Sequence, residues 1–309
     1  MARDFSDMLE RIKASQWALG DIDWDAPGAE LVTEDKELYP KLKAFMADLM
    51  WIEHVGSRGF AGMAKQAENE TLKEIYRYFQ AEEQRHANAE MALMRRWKMI
   101  DDDEIPEPNN NIRLAVEWLD KHADDLPLKN LGTVIPMLEV SLDGALCKFL
   151  LEKVKDPLCH EVFAKINADE ARHLAVDFQV LDMLAASGNF RRNLIQLGGR
   201  LLSPRLITSI LVYLPLLNKM RDNVVGMGLK EERLYAAFER YGHVGGKGAA
   251  ANDPTFKLVA AHGKIVADRS KKLYHVPVDF LVRLTDKYPK KWFRPLPSWF
   301  DDLTWRPRV

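Results

Sequence analysis

The sequence predicts an all-α protein: a bundle of four long helices followed by a further helical region. Apolar residues recur at helical spacing over long stretches, alternating strand patterns are scarce, and clusters of Pro, Gly, Asn and charge separate the stretches.

Residues 1–37, with Trp17, Trp24 and the acidic turn DIDWDAPG, read as an irregular leader strapped onto the surface. Helical spacing runs through 39–65, breaks at QAENE and resumes over 71–97, a long helical hairpin. DDDEIPEPNNN (101–111) is a loop, followed by a short helix over 111–126. Two more long helices lie near 130–153 and 157–187, broken by KVKDP and ended by SGN. Residues 38–189 are therefore assigned to the bundle. Residues 190–309 form the added region, with helical segments over 190–204, 205–228, 229–241, 254–274 and 277–288 and a tail, WFRPLPSWFDDLTWRPRV.

A chain of 309 residues that is 47% hydrophobic and 29% charged can bury a sizeable core, and this composition excludes disorder and collagen-like repeats. Cys147 and Cys159 sit in apolar helical context and read as reduced core residues, which points to the cytoplasm. The opening MARDFSDMLERIKASQW lacks the apolar stretch of a secretory signal. LITSILVYLPLL (206–217) falls short of the roughly 18–20 residues of a spanning helix and contains Pro215, so no transmembrane segment is expected. The net charge of −2 hides a split: residues 1–189 carry 22 Lys+Arg against 36 Asp+Glu, and residues 190–309 carry 22 against 10. Two regions with different partners follow from that division.

The chemistry lies in a repeated motif. EEQRH places Glu83 and His86 on one helix face, and DEARH repeats the pattern with Glu170 and His173. Each repeat has an acid before the Glu and an arginine before the His. Glu53 lies 30 residues before Glu83, and Glu139 lies 31 before Glu170. At 1.5 Å per residue, such intervals bring both members of an antiparallel hairpin to one level. Six candidate ligands thus converge at mid-bundle. Four buried carboxylates would cost several kcal/mol each if unpaired, and two divalent cations neutralise them. Carboxylate and imidazole donors without thiolate suit iron or manganese better than copper or a structural zinc.

These residues resemble the di-iron carboxylate proteins of the ferritin-like superfamily, whose pattern is Glu, ExxH, Glu, ExxH on four helices. The resemblance covers about residues 40–187, and EExRH and DExRH are similar to motifs of oxygen-activating members such as bacterial multicomponent monooxygenases and soluble acyl carrier protein desaturases. It implies a metal set of Glu53, Glu83, His86, Glu139, Glu170 and His173. It also implies that Asp169 accepts from His86 and Glu82 from His173, with Arg85 and Arg172 countering these outer acids. Departures narrow the field. Glu90 stands four after His86, where a radical-carrying reductase subunit has tyrosine, and Ile166 stands where arylamine N-oxygenases have an extra histidine. Asp143 stands where many monooxygenases have threonine; it is either a proton relay or the partner of a basic neighbour.

By this resemblance the chain is an O2-dependent di-iron oxidoreductase, a hydroxylase/monooxygenase or a desaturase-like oxidase, acting on an apolar, acyl-type small molecule. Its cofactors are two iron ions, with Mn/Fe as the alternative pair, and O2 is the co-substrate. No flavin, nicotinamide or Cys-rich motif appears, so an external donor, a ferredoxin or reductase, is implied. Two rival readings stand beside it: a ferroxidase or iron-storage protein, and a non-catalytic docking module with a vestigial metal site. The ExRH pattern and the large C-terminal addition count against the first rival.

Further features keep two readings each. Gly56, Gly59 and Gly62 serve close helix packing or leave space for oxygen or substrate. GHVGGKGAAAND (242–253) is a flexible connector or a lid, and lacks the spacing of a phosphate loop. The basic, apolar segment 191–221 caps the bundle or docks an acidic acyl carrier protein, a coenzyme A thioester or a lipid headgroup. Its basic residues are interleaved with aliphatics, which argues against nucleic acid. A homodimer is compatible with all of this. His54 reads as structural, and His122, His160, His243, His262 and His275 belong to no motif.

Overall fold

The computed structural model describes residues 5–142, 146–186 and 204–295, and every regular element among them is helical. The first long helix, α3 (Tyr39–Gln66), has Pro40 in its opening turn, where a missing N–H goes unnoticed. Before it lie two short helices, α1 (Ser6–Ala14) and α2 (Glu30–Thr33). Next comes α4 (Glu70–Arg96), capped by the Asn69 side chain, which accepts from the Leu72 N–H at 2.9 Å. Glu70 in its first turn and Arg95 and Arg96 in its last complement the helix dipole.

The second hairpin consists of α6 (Leu128–Leu142) and α8 (Pro157–Ala186), with α5 (Asn110–His122) before it and α7 (Lys148–Lys153) between its arms. Packing of α3 on α4 and α6, and of α8 on α6 and α4, closes the bundle. Among the described residues four further α-helices follow: α9 (Pro204–Met227), α10 (Glu231–Gly245), α11 (Pro254–Ala267) and α12 (Lys272–Asp286). Of these, α9 lies against α5 and α3, while α10 and α11 cover α6. One apolar cluster runs from Met46 and Met50 of α3 through Phe163 of α8 to Leu216 of α9 and Phe238 of α10. The added helices therefore thicken the same core.

Three expectations need correction. The leader is partly helical: Phe5, Leu9 and Ile12, at helical spacing, are buried with Tyr76 and Phe79 of α4 in a second cluster. So short a helix is stable only when packed, which is why its periodicity is faint in the sequence. The helix expected over 254–274 ends at Ala267 and the next begins at Lys272 rather than 277, because Asp268 accepts from the Ser270 N–H and the His275 ring caps the carbonyls of Ile265 and Asp268, each at 3.0 Å. The connector 242–253 is held down: α10 runs to Gly245, Ala249–Asn252 form a 3-10 turn, and the Ala249 N–H donates to Asp182 of α8.

Cys147 and Cys159 are free thiols, both buried. Among the described residues no helix is long and apolar enough to cross a membrane. Asp143, the stretch 190–203 and the tail from 296 onward lie outside the described residues.

Candidate metal centre

Four helices each turn acidic side chains into the bundle. Glu53 comes from α3, Glu83 and His86 from α4, Glu139 from α6, Glu170 and His173 from α8, and all six are buried. The structure brings them together as two donor groups that could hold metal ions: Glu53, Glu83, His86 and Glu170, and Glu83, Glu139, Glu170 and His173. Within each group one ligand atom from every residue lies within 4.8 Å of the others. Glu83 and Glu170, the glutamates of the two Glu-x-x-His motifs, belong to both groups and lie between them.

Both imidazoles aim Nδ1 at this centre. His86 Nδ1 is 3.0 Å from Glu170 and 3.6 Å from Glu53. His173 Nδ1 is 3.2 Å from Glu83 and Glu170 and 3.7 Å from Glu139. None of these approaches has hydrogen-bond geometry: both Nδ1 atoms, Glu83 Oε1 and both oxygens of Glu139 and Glu170 are buried without a hydrogen-bond partner. Orphaned polar atoms this deep are destabilising unless something ligates them. An all-oxygen and imidazole set of this kind fits two hard or borderline divalent cations.

The electrostatics point the same way. Burial, with the charges of Glu170 and Glu53, holds the Glu83 carboxyl well above its ordinary range. Burial also lifts Glu139 from 4.5 to about 7, against the pull of His173. Burial opposes the charged forms of His86 and His173, yet the surrounding carboxylates overcome it and keep both rings protonated well above their ordinary 6.5. Glu170, between the two rings, is pushed up by burial but held far below its usual range by His173 and His86. Protons on the imidazoles occupy the place of metal charge in the free chain.

Outside the donors a ring of ion pairs fixes the rings. His86 Nε2 lies 3.0 Å from Asp169 Oδ2, and His173 Nε2 lies 2.8 Å from Glu82 Oε2. With Nε2–H donating outward, loss of the second proton would leave the Nδ1 lone pair of each ring facing the centre, free to ligate a metal. Arg85 donates to Asp169 at 2.9 Å, and Arg172 donates to Glu82 at 3.1 Å and to Asp169.

The leader completes this ring, which sequence reasoning missed. The Trp17 indole donates to Asp169 Oδ2 at 2.8 Å, the Arg85 guanidinium sits 4.7 Å from the Trp17 ring centroid, and the Gln16 amide bonds both Glu82 and Arg85. Nothing local in the leader announces these contacts. Two more acids did leave a signal: Glu90 and Asp177 each stand four residues after the histidine of a motif. Both are fully buried with neither oxygen hydrogen-bonded, and burial, aided by Glu53 for one and Glu139 for the other, raises both well above the usual carboxylate range.

Gly56 resolves one open alternative. A Cβ there would overlap the Glu83 carboxylate, whereas at Gly59 it would meet Ile135 and at Gly62 the Ala123 carbonyl. The first glycine makes room for a candidate ligand; the other two serve packing. Beside the donors lies a cavity of about 30 Å³, lined by Ile52, Val55, Gly56, Ile135 and Leu138 together with Glu53, Glu83, Glu139 and Glu170. His54 points elsewhere, 3.7 Å from Asp120. Compared with known proteins, the chain matches no family model, no curated protein and no solved structure, so the functional reading rests on this geometry.

Proposed function

We propose that the chain is an oxygen-dependent di-iron oxidoreductase of ferritin-like build, acting on an apolar small molecule. The observation that carries this reading is the pair of four-donor groups sharing Glu83 and Glu170. Glu53, Glu83, His86 and Glu170 would hold one metal, and Glu83, Glu139, Glu170 and His173 the other. Iron bound there supplies reductive activation of O2. The chain's own part is to hold, shield and shape. Asp169 and Glu82 orient the imidazoles. Phe79, 4.1 Å from the His173 ring, and Phe60, at 5.2 Å, wall off one side from water. Ile52, Val55, Ile135 and Leu138 line the adjoining cavity together with the carboxylates, and their apolar surface favours an apolar reacting group. Electrons come from a separate donor protein, and Mn/Fe is the alternative metal pair.

The test begins with metal. Ferrous reconstitution of the purified protein should give two irons per chain, and Glu83→Ala should lower that number. The reduced protein exposed to O2 should then yield product coupled to oxygen uptake with an apolar substrate among fatty acyl, aldehyde and aromatic compounds. Occupancy well below two metals, unchanged by Glu83→Ala, would remove the proposal. Uncoupled ferrous oxidation with cage assembly would replace it with metal handling.

A further inference from the structure

Three voids border α3, each sharing a lining residue with the next. The outermost is an open groove of about 500 Å³ between α3 and α9, with Phe45, Asp48, Gly226 and Met227 among its walls. Next comes a void of about 10 Å³, which shares Phe45, Asp48 and Asn223 with the groove and adds Leu49, Ile52, Leu146, Met220 and Val224. The innermost is the 30 Å³ cavity at the candidate metal ligands, which shares Ile52 with the void before it. Phe45, Asp48 and Ile52, shared between neighbouring voids, follow α3 at helical spacing, and Gly56 of the innermost cavity continues it, so one helix face touches all three. From Lys41 at the mouth to Gly56 at the centre, α3 rises about 22 Å.

Polarity changes sharply along this line. The neck is apolar, apart from Asp48 and Asn223, which it shares with the groove. The Asp48 carboxyl is already engaged by the Asn109 N–H and the Asn223 amide, and burial holds it above its ordinary value. At the mouth stand Lys41, Lys219 and Lys290 with Glu107 and Asp222. Lys290 pairs with Glu107, and Asp222 with Arg221. Lys41 and Lys219 form no ion pair among the described residues. The mouth therefore offers two lysines outside any ion pair among the described residues, with Lys219 also attracting the Asp48 carboxylate, ahead of an apolar neck. Since α9 belongs to the region added after the bundle, its packing on α3 forms the far wall of the groove.

Resting on the metal centre proposed above, we infer that the groove between α3 and α9 admits an unbranched acyl chain, its anionic head at Lys41 and Lys219 and its apolar chain directed past Leu49 and Ile52 toward Gly56. The shared chemistry is a straight apolar chain with an anionic head, supplied either by a free fatty acid or by a coenzyme A thioester.

Calorimetric binding of saturated carboxylates from hexanoate to stearate, of the matching alcohols and of the matching coenzyme A thioesters tests this. It is run on the full chain, both metal-free and iron-loaded, so that a missing channel and a missing metal give different results. Affinity should rise with chain length and then level off. The Lys41→Ala/Lys219→Ala pair, both at the surface of the groove, should weaken the carboxylates by roughly tenfold and leave the alcohols unchanged. Ile52→Trp should shorten the length at which affinity levels off while two irons still bind. Tighter binding of either anionic head supports the inference and names its source. It is overturned if affinity ignores chain length, if the lysine pair weakens alcohols and carboxylates alike, or if Ile52→Trp leaves the length limit unmoved.

Discussion

His86 on α4 lies 3.0 Å from Asp169 on α8, and His173 on α8 lies 2.8 Å from Glu82 on α4. Each motif thus supplies the acid that orients the other motif's imidazole. Asp169→Asn weakens that support while preserving shape, and should lower metal affinity by roughly 10–100-fold in the group containing His86. Glu82→Gln should do the same for the group containing His173. Titration of each variant with ferrous or manganous ion should therefore show one strong and one weakened site.

Proton and metal compete for the same atoms, so loading should release protons and weaken as pH falls. The sign for stability follows from Glu139, whose carboxyl is lifted from 4.5 to about 7. A group that stays protonated when folded but ionises when unfolded destabilises the fold as pH rises through that window. His86 and His173, held protonated above 6.5, stabilise the metal-free fold below that value, and this contribution fades as pH climbs further. The melting temperature of metal-free protein should accordingly fall from about pH 4.5 to 7 and keep falling above it. The iron-loaded protein should lack this decline in thermal scans across the same range.

Gly56 and Gly59 should separate metal binding from packing. Gly56→Ala places a methyl against the Glu83 carboxylate and should reduce metal occupancy. Gly59→Ala presses on the end of the Ile135 side chain and should cost about 1–3 kcal/mol of stability with two metals still bound. Metal analysis beside chemical denaturation distinguishes the two. Equal occupancy in both variants would refute the assignment of Gly56.

Trp17 ties the leader to the centre. Trp17→Phe keeps an aromatic ring beside Arg85 but removes the donor to Asp169, and should lose about 1.5–3 kcal/mol, as expected for a hydrogen bond to a charged group. The loss should shrink in an Asp169→Asn background, which a double-mutant cycle measures. Independent, additive losses would show that Trp17 acts through packing alone.

Much of the bundle was legible in the sequence because helical periodicity and breaker residues are local. The long helices α3, α4 and α8 run within a residue or two of the spans their apolar spacing predicts. The doubled Glu-x-x-His and the matching glutamate intervals likewise placed six donors at one level, since a hairpin converts sequence distance into height. The His+4 position of Glu90 and Asp177 was visible too, yet burial, which no spacing reveals, is what makes those acids unusual. Only the tertiary structure decided that Glu83 and Glu170 are the shared pair, because spacing names a helix face but not the rotation that brings two faces together. Only it joined Trp17 to Asp169, 152 residues away, and set α9 against α3 to leave a groove between them. Contacts of that range come from the packing of whole elements, and no short window of sequence contains them.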